Sequence, residues 1–339
     1  MTLLKKSLST LFRTSVGMRN FIYDRGWIAQ NRLPVTVVSV GNIAVGGTGK
    51  TPFVQMLVQA LEVEGPVAIL SRGYRSQIER SGRIAKVSDG AGPLYSVREC
   101  GDEPYFLAKT TRAQIWVGPN RVASGYSAIQ HGARCLILDD GMQHLRLARD
   151  IEIVLLDGED PLSGGDFLPL GKLRDFPSRL RGAHLIVINH VQNESAFQKI
   201  VEEIRTMTSA PCIGVCPELI LPSKWYGKKV GIFCGIGNPD RFVQGVESLG
   251  VSIVDRWLLR DHSVPVRRAL QRFADSCVEK QAECLLCTEK DAVKIPLGVE
   301  TNIPIVPVKM RLRLVAGEEY WEQLVKNIKT GMEWNGSRH

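Results

Sequence analysis

The chain has 339 residues, 44% hydrophobic and 23% charged, and its 43 Lys and Arg against 35 Asp and Glu leave a formal charge of +8. That balance describes a globular chain of about two domains and excludes a disordered tail, a collagen and a disulfide-stapled small module. The cationic surplus suits an anionic partner such as a nucleotide, a phosphorylated lipid or an acidic membrane; no nucleic-acid partner is expected, since neither alternating basic and aromatic residues nor a known binding module occurs.

In residues 1–30, Leu4, Leu8, Leu11, Phe12, Met18 and Ile22 recur near one side of a 3.6-residue helix, while Lys6 and Arg13 point away. Five basic residues against the single acid Asp24 fit a helix lying in a membrane interface, its cations toward anionic headgroups. An ordinary helix packed on the next domain has the same pattern. No spanning helix is expected, because the longest stretch without Asp, Glu, Lys or Arg, residues 33–49, is broken by Pro34 and glycines and a span needs about 20 apolar residues.

Residues 34–40 then form a short β-branched run of the kind buried in a parallel sheet, followed by a glycine-rich segment and a helix predicted over Thr51 to Leu61. Further strands are expected at Val67–Leu70, Ile115–Val117, Cys135–Leu138, Ile151–Leu156 and Leu185–Asn189. Strands alternating with helical stretches imply a parallel sheet covered on both faces. Prolines 211, 217 and 222 punctuate the chain before a new α/β series from Val230 to Val308, and a domain boundary is placed there. No cleavable leader is legible, so the eight cysteines are expected as reduced thiols; Cys284 and Cys287, spaced like a metal or redox pair, enclose two leucines and read as packing residues of a strand.

Ala44-Val45-Gly46-Gly47-Thr48-Gly49-Lys50-Thr51 matches a phosphate-binding loop with Ala in place of the first Gly. Glycines let successive backbone N–H groups turn toward a β-phosphate, Lys50 can reach the β- and γ-oxygens, and the Thr51 hydroxyl can ligate Mg²⁺ at the start of a helix. The ligand predicted is ATP with Mg²⁺. Cys135–Leu138 runs into Asp139 and Asp140, the arrangement of a strand ending in a metal-binding acid. Either aspartate can be that ligand.

The segments Ser39–Pro52, Ser71-Arg-Gly-Tyr74, Gly101-Asp-Glu-Pro104, Asp139–Leu147 and Thr288–Lys294, with Asn189, Gly235–Pro239 and Asp261-His262, occur along nearly the whole chain. In sequence and order they resemble the signature blocks of the tetraacyldisaccharide 4′-kinase family of lipid A synthesis. The resemblance implies a P-loop NTPase fold, a parallel sheet flanked by helices, with a second, smaller α/β domain and an N-terminal amphipathic helix. It implies transfer of the ATP γ-phosphate to the 4′-hydroxyl of tetraacyldisaccharide 1-phosphate, at the cytoplasmic face of the inner membrane. The expected division is 1–30 for the membrane-associating helix, 31–220 for the kinase domain and 221–339 for a domain closing over the site.

By the same resemblance Asp102 is the general base, paired with His262 of the second domain, while Lys50 acts on the phosphates. Arg72, Asn120, Arg121, Gln143, His144, Arg174, Asn189 and Lys290 are expected contacts to substrate or nucleotide, the arginines suited to fork onto phosphate. Asp175 stands where the family pattern has Glu. A rival reading is a P-loop ATPase switch or assembly protein acting through a protein partner; such proteins often carry a lysine at the position held here by Val45.

Overall fold

The computed structural model describes residues 2–61, 66–261, 263–296 and 298–331. Twelve strands among them share one sheet: β1 (Thr36–Gly41), β2 (Val67–Ser71), β3 (Ala85–Asp89), β4 (Gln114–Val117), β5 (Cys135–Asp139), β6 (Ile151–Asp157), β7 (Leu185–Asn189), β8 (Cys212–Ile220), β9 (Lys229–Cys234), β10 (Ser252–Leu258), β11 (Cys284–Thr288) and β12 (Ile305–Ala316). The helices are α1 (Thr2–Asp24), α2 (Lys50–Leu61), α3 (Gln77–Ser81), α4 (Val97–Cys100), α5 (Asp102–Thr110), α6 (Arg121–Gln130), α7 (Glu194–Ile204), α8 (Pro239–Glu247), α9 (Arg267–Glu279), α10 (Glu289–Ala292) and α11 (Glu318–Thr330). Across the sheet the order is β10-β9-β11-β12-β8-β7-β6-β1-β5-β2-β4-β3, parallel except where β3 meets β4 and β12 meets β8.

The expected strands lie where the β-branched runs place them. β2, β5 and β7 are buried along their whole length, as strands covered by helices on both faces must be. The proline-punctuated stretch contains β8, which ends at Ile220. Pro217 fits there because β8 pairs with β7 only over Cys212–Gly214. Val215 still accepts from the Val191 N–H, and beyond it β12 is the only strand paired with β8 among the described residues; a residue without an N–H is tolerated on a strand with one free side.

Past residue 220, β9, β11 and α8 enclose their own apolar cluster, including Val230, Ile232, Phe242, Val246 and Leu286. The chain then returns. β12 pairs with β11 through Ile305–Val308 and with β8 from Lys309 onward, and α11 lays Leu324 and Ile328 into the core that holds Phe53 and Leu57 of α2. Trp321 meets Phe53 edge-on with ring centres 5.9 Å apart. All eight cysteines are free thiols, and all are buried.

A polar contact also joins the two sides. Arg241 of α8 lies 3.2 Å from Asp157 at the end of β6, whose other oxygen is 3.0 Å from the His190 ring. Burial alone would raise the Asp157 carboxyl, but the His190 hydrogen bond and charge and then Arg241 outweigh it and hold it at about 2, below the ordinary 3.8. A depressed carboxylate stabilises the fold above its unfolded value and loses that contribution as pH falls toward its folded one. Arg241→Ala is therefore expected to cost about 1 kcal/mol at pH 7, discounted for solvent at this half-buried pair. Urea midpoints should show the gap from the parent chain narrowing as pH drops from 4 toward 2.

Candidate active site

β1 ends at Gly41, and α2 starts at Lys50. The turn between them is braced on two sides. Asn42 donates from Nδ2 to Thr48 Oγ1 at 2.8 Å, and Asn189, at the end of β7, donates to the Thr48 carbonyl at 3.2 Å. Val45 N–H donates to the Lys172 carbonyl at 2.9 Å, next to a bridge between Ala44 and Leu173. Gly49 has φ +85°, and a Cβ there would run into the Asn189 amide, so the motif's third glycine answers both a backbone and a space requirement. Behind it the first turn of α2 offers N–H groups with no partner inside the helix, and an anion is favoured there.

β5 lies beside β1, with Asp139 in register with Val40. Asp139 is buried and accepts from Ser71 Oγ at 3.1 Å. Burial, then the Glu103 and Asp140 charges, push its carboxyl up to about 6. Asp140 takes a positive φ of 55° and turns away from the strand to meet two cations. Arg174 grips it with both guanidinium nitrogens, one at 2.8 Å, and Lys50 Nζ is 3.6 Å away. Burial would raise Asp140, yet the Arg174 hydrogen bonds and the Lys50 charge hold it well below the usual carboxylate range. Burial lowers Lys50 in turn, with Asp140 opposing. Arg174 also reaches the Asn42 side chain.

Asp102 and Glu103 occupy the first turn of α5, behind Gly101. Glu103 pairs with Lys290 of α10 at 2.8 Å, a contact between residues 187 positions apart. The Lys290 charge holds the Glu103 carboxyl down, and the Glu103 charge is felt at both Lys50 and Asp139. The start of α5 therefore faces the loop. Asp102 accepts from the Glu103 N–H at 3.1 Å, and its charge acts on Lys290. His262 lies outside the described residues. Its neighbour Asp261 stands beside Gly237, whose turn is held by Lys294 donating to the Gly235 carbonyl at 3.3 Å.

A cavity of about 370 Å³ opens among Arg19, Arg72, Arg121, Gln143, His144 and Arg146. Arg121 opens α6 and is buried, with Nε lacking a hydrogen-bond partner among the described residues. Burial lowers Arg121 while the Asp139 and Asp140 charges oppose that, so cavity and acid pair share one field. Burial and the surrounding arginines push His144 down to about 4, leaving a neutral ring at pH 7.

The structure thus sorts the expected contacts. Arg72, Arg121, Gln143 and His144 line the cavity, Arg174 clamps Asp140, and Asn189 braces the loop. Asn120 uses its Oδ1 to cap α6 through Ala123 N–H at 3.1 Å. Glu103, Asn42, Arg19 and Arg146 were not singled out from sequence, although all but Arg19 sat inside a matched block. Asn42 carried a local signal, two residues after the β-branched strand.

A lysine and a strand-end acid set around a loop that leads into a helix place the chain in the P-loop class of nucleotide-binding proteins. The family model described as Tetraacyldisaccharide-1-P 4'-kinase matches residues 1–329. The tetraacyldisaccharide 4'-kinase of Chlamydia pneumoniae is 36% identical over 302 residues, 84% of this chain and 80% of the relative. That of Syntrophus aciditrophicus is 35% identical over 352 residues, 97% of this chain and 94% of the relative. The crystal structure of the "apo" form of LpxK from Aquifex aeolicus in complex with ATP superposes with a TM-score of 0.75 at 29% identity, covering 95% of this chain and 97% of that one. The chain belongs to the tetraacyldisaccharide-1-P 4'-kinase family.

Proposed function

We propose that the chain is an ATP-dependent kinase that transfers the γ-phosphate to the 4′-hydroxyl of tetraacyldisaccharide 1-phosphate, the phosphorylation step of lipid A synthesis. The observation that carries the reading is the convergence of Lys50 and Arg174 on Asp140, beside Asp139 and a cavity lined with arginines. Phosphoryl transfer needs positioning and neutralised charge more than covalent chemistry. Lys50 and the loop amides supply that on the donor side, and the cavity arginines suit an acceptor that itself bears phosphate. Asp102 takes the proton of the attacking hydroxyl, with His262 as its partner.

The oxygen donors at the loop suit a small hard cation held by one or two carboxylates together with substrate phosphate. Asp139 and the Thr51 hydroxyl are the residues that would hold Mg²⁺, since Asp140 is already engaged by two cations. When bound, Mg²⁺ neutralises charge on the phosphate oxygens. Residues 31–220 act as the kinase unit. The chain from 221 closes over it, with β12 and α11 returning to the first unit.

The acceptor is a membrane lipid, and α1 is built to reach it. Its protein-facing side carries Ser9, Val16 and Asn20, while Leu4, Leu8, Leu11, Met18 and Phe21 face outward. Phe12, expected in the same stripe, instead meets Phe167 with ring centres 6.5 Å apart. A helix with apolar residues outward and basic residues at its flanks seats in an anionic bilayer surface, here the cytoplasmic face of the inner membrane. No helix among the described residues is long and apolar enough to cross a membrane.

Radiolabelled ATP with tetraacyldisaccharide 1-phosphate should yield one labelled lipid on thin-layer chromatography, and absence of that product would refute the assignment. The chain should also co-sediment with phosphatidylglycerol vesicles, and Leu4→Glu/Leu8→Glu/Leu11→Glu should abolish that. Binding unaffected by the triple change would remove α1 as the membrane contact.

A further inference from the structure

The side of α1 turned toward the protein ends in a polar contact that a simple anchor would not require. Asp175, 1% exposed, accepts from Arg19 Nη2 at 3.0 Å, from Asn20 Nδ2 at 2.8 Å and from its neighbour Phe176 N–H at 2.9 Å. A carboxylate this deeply buried depends on those donors. The same short segment holds the nucleotide side. Arg174 and Asp175 both donate their N–H to the Ile43 carbonyl, at 2.8 and 3.1 Å, and Lys172 accepts from Val45. The Arg174 side chain grips Asp140 and Asn42. One four-residue stretch is thus fixed to α1 by a side chain and to the phosphate loop by its backbone.

We propose that Asn20 and Asp175 are positioning residues: the seating of the N-terminal helix sets the placement of Arg174 on Asp140 and of the loop at Ile43 to Val45. The helix is then a working part of the donor site as well as a membrane contact. Neither residue touches the reacting atoms, and both act through Arg174 and the loop backbone. This inference rests on the kinase reading of the same site.

The test is a polarity swap, assayed in detergent micelles at saturating lipid. Asn20→Asp sets a second carboxylate against Asp175 and should raise the KM for ATP and lower kcat, each about tenfold, the scale of a broken hydrogen bond to a charged group. Vesicle co-sedimentation should be unchanged, because the outward leucines are untouched. Asn20→Asp/Asp175→Asn restores a donor facing an acceptor, keeps one carboxylate for Arg19, and should recover most of both constants. A helix that only anchors the enzyme predicts altered vesicle binding or lipid KM with kcat and ATP KM intact, and that pattern overturns the proposal. So does a double variant no better than the single one. Should the Asn20→Asp chain not fold, Asn20→Ala removes one bond without adding charge, and unchanged ATP constants there are equally decisive. Failure of the parent chain to make any product would sink the kinase reading instead.

Discussion

Lys50→Met is expected to lower the rate of phosphate transfer by about three orders of magnitude while leaving a folded protein. Lys50 is the cation 3.6 Å from Asp140 at the start of α2, and in the proposed reaction it neutralises charge on the phosphoryl group in transfer and on the departing diphosphate. Removing one such preorganised group typically costs about 10²–10³ in turnover, and this one also positions the donor. Burial already disfavours its charge. Methionine keeps the length of the apolar stem and removes the cost of burying an ammonium. Asp140 retains its two-nitrogen grip from Arg174, so no carboxylate is left without a cation. Circular dichroism melts within a few degrees of the parent, together with collapse of the labelled product, are the expected pair of results. Undiminished transfer would remove the loop as the phosphate site.

Asp102→Asn should separate binding from chemistry. Asparagine is nearly the same shape and can still accept from the Glu103 N–H, so the first turn of α5 keeps its geometry. It cannot take a proton from a sugar hydroxyl. Turnover is expected to fall by about 10²–10⁴, the range for a positioned general base, while the affinity for a fluorescent ATP analogue stays within about threefold. Asp102→Ala should fall as far in turnover, losing in addition a few tenths of a kcal/mol from the favourable placement of an acid at a helix start. Near-normal turnover in either variant would assign the proton to another group. A weakened ATP affinity with turnover intact would place Asp102 on the nucleotide instead.

The loop, its lysine and the acid pair were legible in the sequence because each requirement is local. Glycine must precede Lys50 within a few residues, and an acid must end a β-branched run. The parallel sheet was legible for the same reason, through buried runs such as Ile151–Leu156 and Leu185–Asn189. Partners far apart in the chain left no such trace. Asn189 reaches the loop across 141 positions, and Asp175 reaches Asn20 across 155. The departure at Asp175 stood out in the sequence, whereas its contact with α1 did not. Glu103 stood in a matched block with no role of its own, and its partner Lys290 lies 187 positions away. The prolines gave no sign of β8, because Pro217 is acceptable in a strand only where one side lacks a strand neighbour.

β12 and α11 have a consequence for how the molecule comes into being. The apolar surface of α2 around Phe53 and Leu57 is covered by residues near 321–328, which are synthesised long after it. During vectorial synthesis that surface waits, uncapped, until the intervening strands and α11 have emerged. A chain stopped near residue 300 would lack both the ribbon that stitches the halves and the lid over that early surface. It would be a natural client for chaperones and proteases, so that copies lacking β12 and α11 would be removed.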